Sequence, residues 1–167
     1  RAADFGRKAV EADPDNPASF RYSTISMSGG TIKISGNVAM YVDGDFSMAA
    51  SAAIDLAPGA KMTLYHGSGD LKLAGQGVVN HDQEPSNFIV KSSTTGVVTL
   101  AGTSDFYGAI YAPRSDCNLM GTSDTYGAVV GSTLYAGGTA DFHYDEALGL
   151  IPGEKVQYRI KAWEQRQ

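Results

Sequence analysis

The chain has little of what most catalytic and cofactor-binding classes require. A single cysteine, Cys117, stands among 167 residues, so no internal disulfide can form, and no CxxC or Cys/His cluster supports a zinc site. A reactive thiol needs a neighbouring base or cation, and only Arg114 lies close in sequence; a small apolar residue on a strand is the simpler reading. Charge is also scarce, at 19 % of residues with a formal net charge of −5. The basic residues are scattered, the densest group being Arg159, Lys161 and Arg166. That excludes a nucleic-acid backbone as partner, since phosphate binding needs clustered Lys and Arg. No apolar run approaches the ~20 residues that span a bilayer. The sequence opens on Arg1 with no initiator Met, which points to a processed or excised piece and leaves contact with a membrane only through an N-terminal anchor outside it. With only 6 prolines, a disordered Pro/Gly tract is excluded. Gly-rich turns such as Gly67-Ser68-Gly69 lack the Walker spacing and its Lys, so nucleotide binding has no support.

What is present is glycine, 20 residues, within a chain that is 43 % hydrophobic. That balance suits many short strands joined by tight turns. Residues 2–12 form the one helical pattern: Ala2, Phe5, Ala9 and Ala12 share a face, and Asp13-Pro14-Asp15-Asn16-Pro17 ends it. From about residue 21 the period falls to two, as in Thr31-Ile32-Lys33-Ile34-Ser35, Lys61-Met62-Thr63-Leu64-Tyr65, Asp70-Leu71-Lys72-Leu73 and Val97-Val98-Thr99-Leu100. Asp43-Gly44 and Pro58-Gly59 are turn signals in which Gly supplies a positive φ. The division expected is a helix and linker over 1–20 and one repeat domain over 21–167. Residues 79–87 interrupt the pattern and read as a loop projecting from it.

An internal repeat is the strongest signal. Gly102-Thr103-Ser104-Asp105-Phe106-Tyr107-Gly108-Ala109-Ile110 returns as Gly121-Thr122-Ser123-Asp124-Thr125-Tyr126-Gly127-Ala128-Val129, identical at seven of nine positions, and again in part as Gly138-Thr139-Ala140-Asp141-Phe142-His143-Tyr144. A weaker earlier pair starts at Tyr41 and Tyr65. Repeats of about this length are too short for a helical hairpin and fit single coils of a parallel β-helix. The expected fold is therefore all-β, a parallel β-helix or β-solenoid of short coils. The helix at 2–12 would cap one end, and the alternating run 156–163 would form a strand closing the other.

At these residues the chain resembles a known family. The stretch 98–113, the segment Tyr126-Gly127-Ala128-Val129-Val130-Gly131 and the block Ala140-Asp141-Phe142-His143-Tyr144-Asp145-Glu146-Ala147-Leu148 are similar to the uncharacterised repeat domain found C-terminal to PilX-type pilus-assembly segments in bacterial envelope proteins. In general character the chain resembles bactofilin-like solenoids. The resemblance implies an envelope, surface or extracellular setting behind a membrane-anchoring helix, and no catalytic residues. Thr125 departs from the pattern, standing where the other copies have Phe106 and Phe142.

Asp43, Asp45, Asp70, Asp105, Asp124 and Asp141 recur in approximate register. A column of carboxylates ~5–9 Å apart would suit acid/base chemistry on a sugar, but active sites are single whereas this feature is iterated. Turn carboxylates that accept backbone N–H bonds are the simpler reading. Ca²⁺ is a weak second thought, because neither a GGxGxD repeat nor an EF-hand loop is present. Phe106, Tyr107, Tyr111, Tyr126, Tyr135, Phe142 and Tyr144 form either a sugar-stacking strip or, preferably, a cross-coil ladder. The candidate ligand-facing or ladder residues are Asp105, Asp124, Asp141, Tyr107, Tyr126, His143, Asp145 and Glu146. The functional expectation is a non-catalytic structural or adhesive module with no cofactor, meeting other envelope or pilus-like subunits or glycans. A β-helix glycan-binding or glycan-cleaving enzyme is the alternative.

Overall fold

The computed structural model describes residues 17–139 and 141–150. The expected helix at 2–12 and the expected strand at 156–163 lie outside the described residues. Within them the only helical turns are two 3₁₀ segments, Pro85–Asn87 and Glu146–Leu150. None is long and apolar enough to cross a membrane.

The chain winds as a parallel β-solenoid of about six turns. The first three coils have three strands each: β1 (Ala18–Tyr22), β2 (Ile25–Met27), β3 (Thr31–Ile34); β4 (Asn37–Val42), β5 (Phe46–Met48), β6 (Ala53–Leu56); β7 (Lys61–His66), β8 (Leu71–Gly75), β9 (Gly77–Asn80). The fourth has two, β10 (Phe88–Ser92) and β11 (Val97–Gly102). In the fifth and sixth, β12 (Phe106–Gly121) and β13 (Thr125–Gly138) each run through both remaining faces, and β14 (Phe142–Tyr144) begins a seventh level. Every pairing is parallel, between each strand and its counterpart one coil away.

Register sets coil length. Ala18 pairs with Val38, Val38 with Met62 and Met62 with Phe88, advances of 20, 24 and 26 residues. Ile89 pairs with Ala109, Phe106 with Thr125 and Thr125 with Phe142, advances of 20, 19 and 17. Coils lengthen and then shorten because the third face, β3–β6–β9, ends at β9. From there the chain turns directly from the second face back to the first through short corners such as residues 103–105 and 122–124.

Alternation puts one set of side chains inside. Phe20, Met40, Leu64, Val90, Ile110 and Val129 stack along the first face. Ile25, Phe46, Leu71, Val98, Cys117 and Leu134 stack along the second, and Ile32, Ile54 and Val78 along the third. Most are fully buried, and each such aliphatic or aromatic residue contributes ~1.5–3 kcal/mol of transfer free energy. Both end members of the first-face stack lose cover: Phe20 is 38 % exposed, and Val129 is only partly buried.

Residues 79–87 do not project as expected. Val79 and Asn80 belong to β9, and Asn80, Pro85 and Asn87 are buried. Asn80 donates from Nδ2 to the Glu84 carbonyl at 2.8 Å and to the Tyr107 carbonyl at 3.3 Å. Asn87 donates from Nδ2 to Asp82 Oδ2 at 3.1 Å. The segment folds down beside the place where the third face ends, and only residues 81–84 are exposed.

Candidate functional site: two corner ladders

The recurring aspartates divide between two corners of the coil, since Asp45 and Asp70 precede the second face whereas Asp105, Asp124 and Asp141 precede the first. At each corner the carboxylate reaches to the next coil. Asp45 Oδ1 accepts from the Asp70 amide at 2.9 Å, and Asp70 Oδ1 from the Val97 amide at 2.9 Å. Asp105 Oδ1 accepts from the Asp124 amide at 3.0 Å, and Asp124 Oδ1 from the Asp141 amide at 3.0 Å. The backbone returns the bond: the Phe106 amide donates to the Asp124 carbonyl and the Thr125 amide to the Asp141 carbonyl, both at 2.9 Å. Two hydrogen bonds therefore clasp each pair of corners, where the strand ladder itself is interrupted.

Other acids are similarly engaged. Arg21 donates from Nε and Nη2 to the two oxygens of Asp43 at 3.0 and 2.9 Å, an exposed bidentate pair; the arrangement raises the Arg21 pKa through the hydrogen bond and then the charge of Asp43. Asp55 meets His81 Nε2 at 2.8 Å, Asp116 Oδ1 accepts from Thr133 Oγ1 at 2.6 Å, and Asp82 Oδ2 accepts from the Gly59 amide at 2.8 Å.

Two residues beyond each aspartate of the second corner, on the same side of the strand, lies an aromatic ladder. Tyr107 stacks on Tyr126 with centroids 4.7 Å apart, and Tyr126 on His143 at 4.5 Å, the planes within 8°. This separation is close to the strand spacing of a sheet, so in-register pairing alone brings the rings face to face. Burial, followed by the charges of Asp105 and Asp124, raises the Tyr107 pKa; burial, then Asp124, raises that of Tyr126, whose hydroxyl approaches Asp124 Oδ2 at 3.4 Å. Tyr41 and Tyr65 form a separate stack at 4.6 Å.

The seven aromatics considered for a sugar-stacking strip do not share a face. Phe106 is buried, edge-on to Phe88 at 5.8 Å. Tyr111 lies outside the first face and Tyr135 on the second, while Phe142 and Tyr144 sit on the last level. Phe106, Thr125 and Phe142 are register partners, so Thr125 interrupts an inward column, not the outer ladder.

Asp124, Asp141 and His143 come together at the C-terminal end of the ladder, one ligand-capable atom of each lying within 4.8 Å of the others. Asp145 and Glu146 follow but turn to local bonds: Asp145 Oδ1 accepts from the Ala147 amide at 2.9 Å, and Glu146 opens the 3₁₀ turn.

His66 carries a role that sequence reasoning missed. It is 2 % exposed, with Nε2 at 2.9 Å from the Gly44 carbonyl and Nδ1 at 3.0 Å from Ser92 Oγ. A carbonyl only accepts, so Nε2 carries the proton and Nδ1 accepts from Ser92. Thr94 and Ser115 extend the network, Ser115 Oγ donating to the Thr94 carbonyl at 2.9 Å and Thr94 Oγ1 to the Gly69 carbonyl at 2.7 Å. Coils two to five are joined through buried polar groups, and burial lowers the His66 pKa despite the opposing bond to Gly44. The available signal was register: Val42, His66 and Ser92 are stacked partners in an inward position. Cys117 is also inward and buried; burial, then Asp116, raises its thiol pKa, which keeps it protonated and unreactive.

A depression lies where the third face ends, lined by residues that include Val78, Leu100, Phe106, Met120 and Asp124. Its walls are mainly apolar, and Asp124 is among them.

A family model matches residues 22–151, described as a domain of unknown function, DUF7305. The chain belongs to that family. No curated protein and no solved structure matches it.

Proposed function

We propose that this chain is a non-catalytic, rigid display module of a bacterial envelope or surface protein, related to pilus assembly. The observation that carries this reading is the clasp between corners. The carboxylates that a glycan-active β-helix would use are repeated from coil to coil and occupied with the backbone of the next coil. Catalytic carboxylates occur as one pair with different environments; iterated acceptors hold a stack together. The described stack leaves apolar side chains uncovered at both ends, Phe20 at 38 % exposure and Leu134 and Tyr144 at 52 % and 63 %. Partners are neighbouring envelope subunits, with glycans as the second class of contact.

The test has two arms. On intact cells producing the full-length protein, an impermeant amine-reactive label is expected to modify Lys33 and Lys72; labelling only after lysis contradicts the surface assignment. Incubation with a polysaccharide panel is expected to release no new reducing ends. Release that D105N or D124N abolishes would establish the enzyme instead.

A further inference from the structure

We propose that Asp124, Asp141 and His143 form a binding site for a divalent transition-metal ion at the C-terminal end of the aromatic ladder. The internal comparison of coils carries the argument. In three successive copies the position two residues beyond the corner aspartate is Tyr107, Tyr126 and His143. The ring stacks in the same way each time, so packing needs only a flat aromatic there. Imidazole preserves the stack and adds a metal-binding nitrogen, which the tyrosines of the lower levels lack, beside the carboxylates of Asp124 and Asp141.

Those carboxylates are not equivalent to the ones below. Asp105 and Asp124 each give an oxygen to the next coil's amide, whereas among the described residues no amide occupies the Asp141 carboxylate. Asp124 keeps Oδ2, whose nearest bond is the long one to the Tyr126 hydroxyl. The three ligand atoms already lie within 4.8 Å of one another. A tetrahedral Zn²⁺ with bonds of about 2.0–2.2 Å places its ligands about 3.4 Å apart, so closure asks for about an ångström of movement from half-buried or exposed side chains. One imidazole with two carboxylates suits Zn²⁺, Mn²⁺ or Co²⁺. It does not suit Ca²⁺, which wants six to eight oxygens.

The experiment is a titration of the full chain, free of any polyhistidine tag, with Zn²⁺ against a chromophoric indicator, repeated with Ca²⁺. Saturable binding of one Zn²⁺ per chain is expected, undisturbed by millimolar Ca²⁺. H143Y is the informative variant, since it restores the Tyr ladder of the lower coils: it should keep the circular dichroism spectrum and melting temperature while weakening Zn²⁺ by more than about tenfold. D141N should weaken it comparably. H81Q, which removes the imidazole paired with Asp55, should leave affinity unchanged. Absence of saturable binding, or H143Y and D141N binding as the unsubstituted chain does, overturns the proposal. So does loss of binding in H81Q alone.

Discussion

The three-sided coils, residues 18–80, and the two-sided levels, residues 88–144, are built from the same strand pairing but bury very different interiors. Ten of the twelve largest fully buried side chains lie in the first region, among them Phe46, Ile54, Leu56, Leu64 and Leu71; Phe88 and Ile110 alone lie in the second. Exposed large hydrophobics divide the other way, with Phe20 and Tyr41 in the first region and Tyr111, Met120, Val130, Leu134, Tyr135, Phe142 and Tyr144 in the second. A triangular coil encloses a volume that three sets of inward side chains fill. A flattened coil has two facing sheets and a narrower interior, so its stability rests more on corner clasps and outer stacking. The first region is the base of the structure, and the second is where its surface chemistry gathers.

Deep in the base, Leu64→Ala removes a fully buried side chain and should cost about 3 kcal/mol. Leu134→Ala, chemically the same change at an inward position of the last full coil, should stay within about 0.5 kcal/mol. Urea denaturation of the two variants measures the contrast directly, and similar losses would remove it.

A glycine in the thin region is the exception. Gly127 has φ of +141°, and a Cβ there would run into the Gly108 carbonyl one coil below. Gly127→Ala should therefore cost about 2 kcal/mol despite its place in the flattened coils. Thermal melting checks this; a neutral result would mean that the contact between β13 and β12 at Gly108 yields easily.

His66 makes the base sensitive to pH. Its folded pKa is lowered by burial, so the unfolded chain takes up a proton more readily. Stability is then fully present above the unfolded value of ~6.5 and falls as pH drops below it. The melting temperature should decrease between about pH 7.5 and 5, with a smaller decrease in H66Q. An identical pH dependence in both proteins would exclude His66 as the source. A single clasp contributes modestly: Asp124→Ala should cost about 1 kcal/mol and Asp124→Asn less, because the amide oxygen still accepts the Asp141 N–H.

The same comparison explains what could be read from the residues. The repeat was visible at Gly102, Gly121 and Gly138 because the flattened coils advance by 20, 19 and 17 residues and reuse one short corner. In the base the advance changes from 20 to 24 to 26. Only a faint echo, Tyr41 against Tyr65, survived there, although those two residues are register partners and stack. Short strands and the solenoid class followed from alternation, but a third face does not announce itself when each of its strands is four residues long. The aspartates looked like one column because all but Asp43 directly precede a strand; sequence does not say at which corner. His66 drew no attention because an inward polar column needs register before it can be seen. The segment 79–87 looked like a loop because Pro85 and the polar residues 81–84 hide a buried strand end at Asn80.

Hydrogen exchange resolved along the native chain tests the tapered stack most directly, since a quasi-one-dimensional fold can open from its weaker end. Amides of β4 to β8 should exchange slowest, those of β10 and β11 faster and those of β13 fastest, in a gradient that follows the loss of the third face. Uniform protection from β4 to β13, or slower exchange in β13 than in β7, would contradict the division into a supporting base and a surface-bearing end.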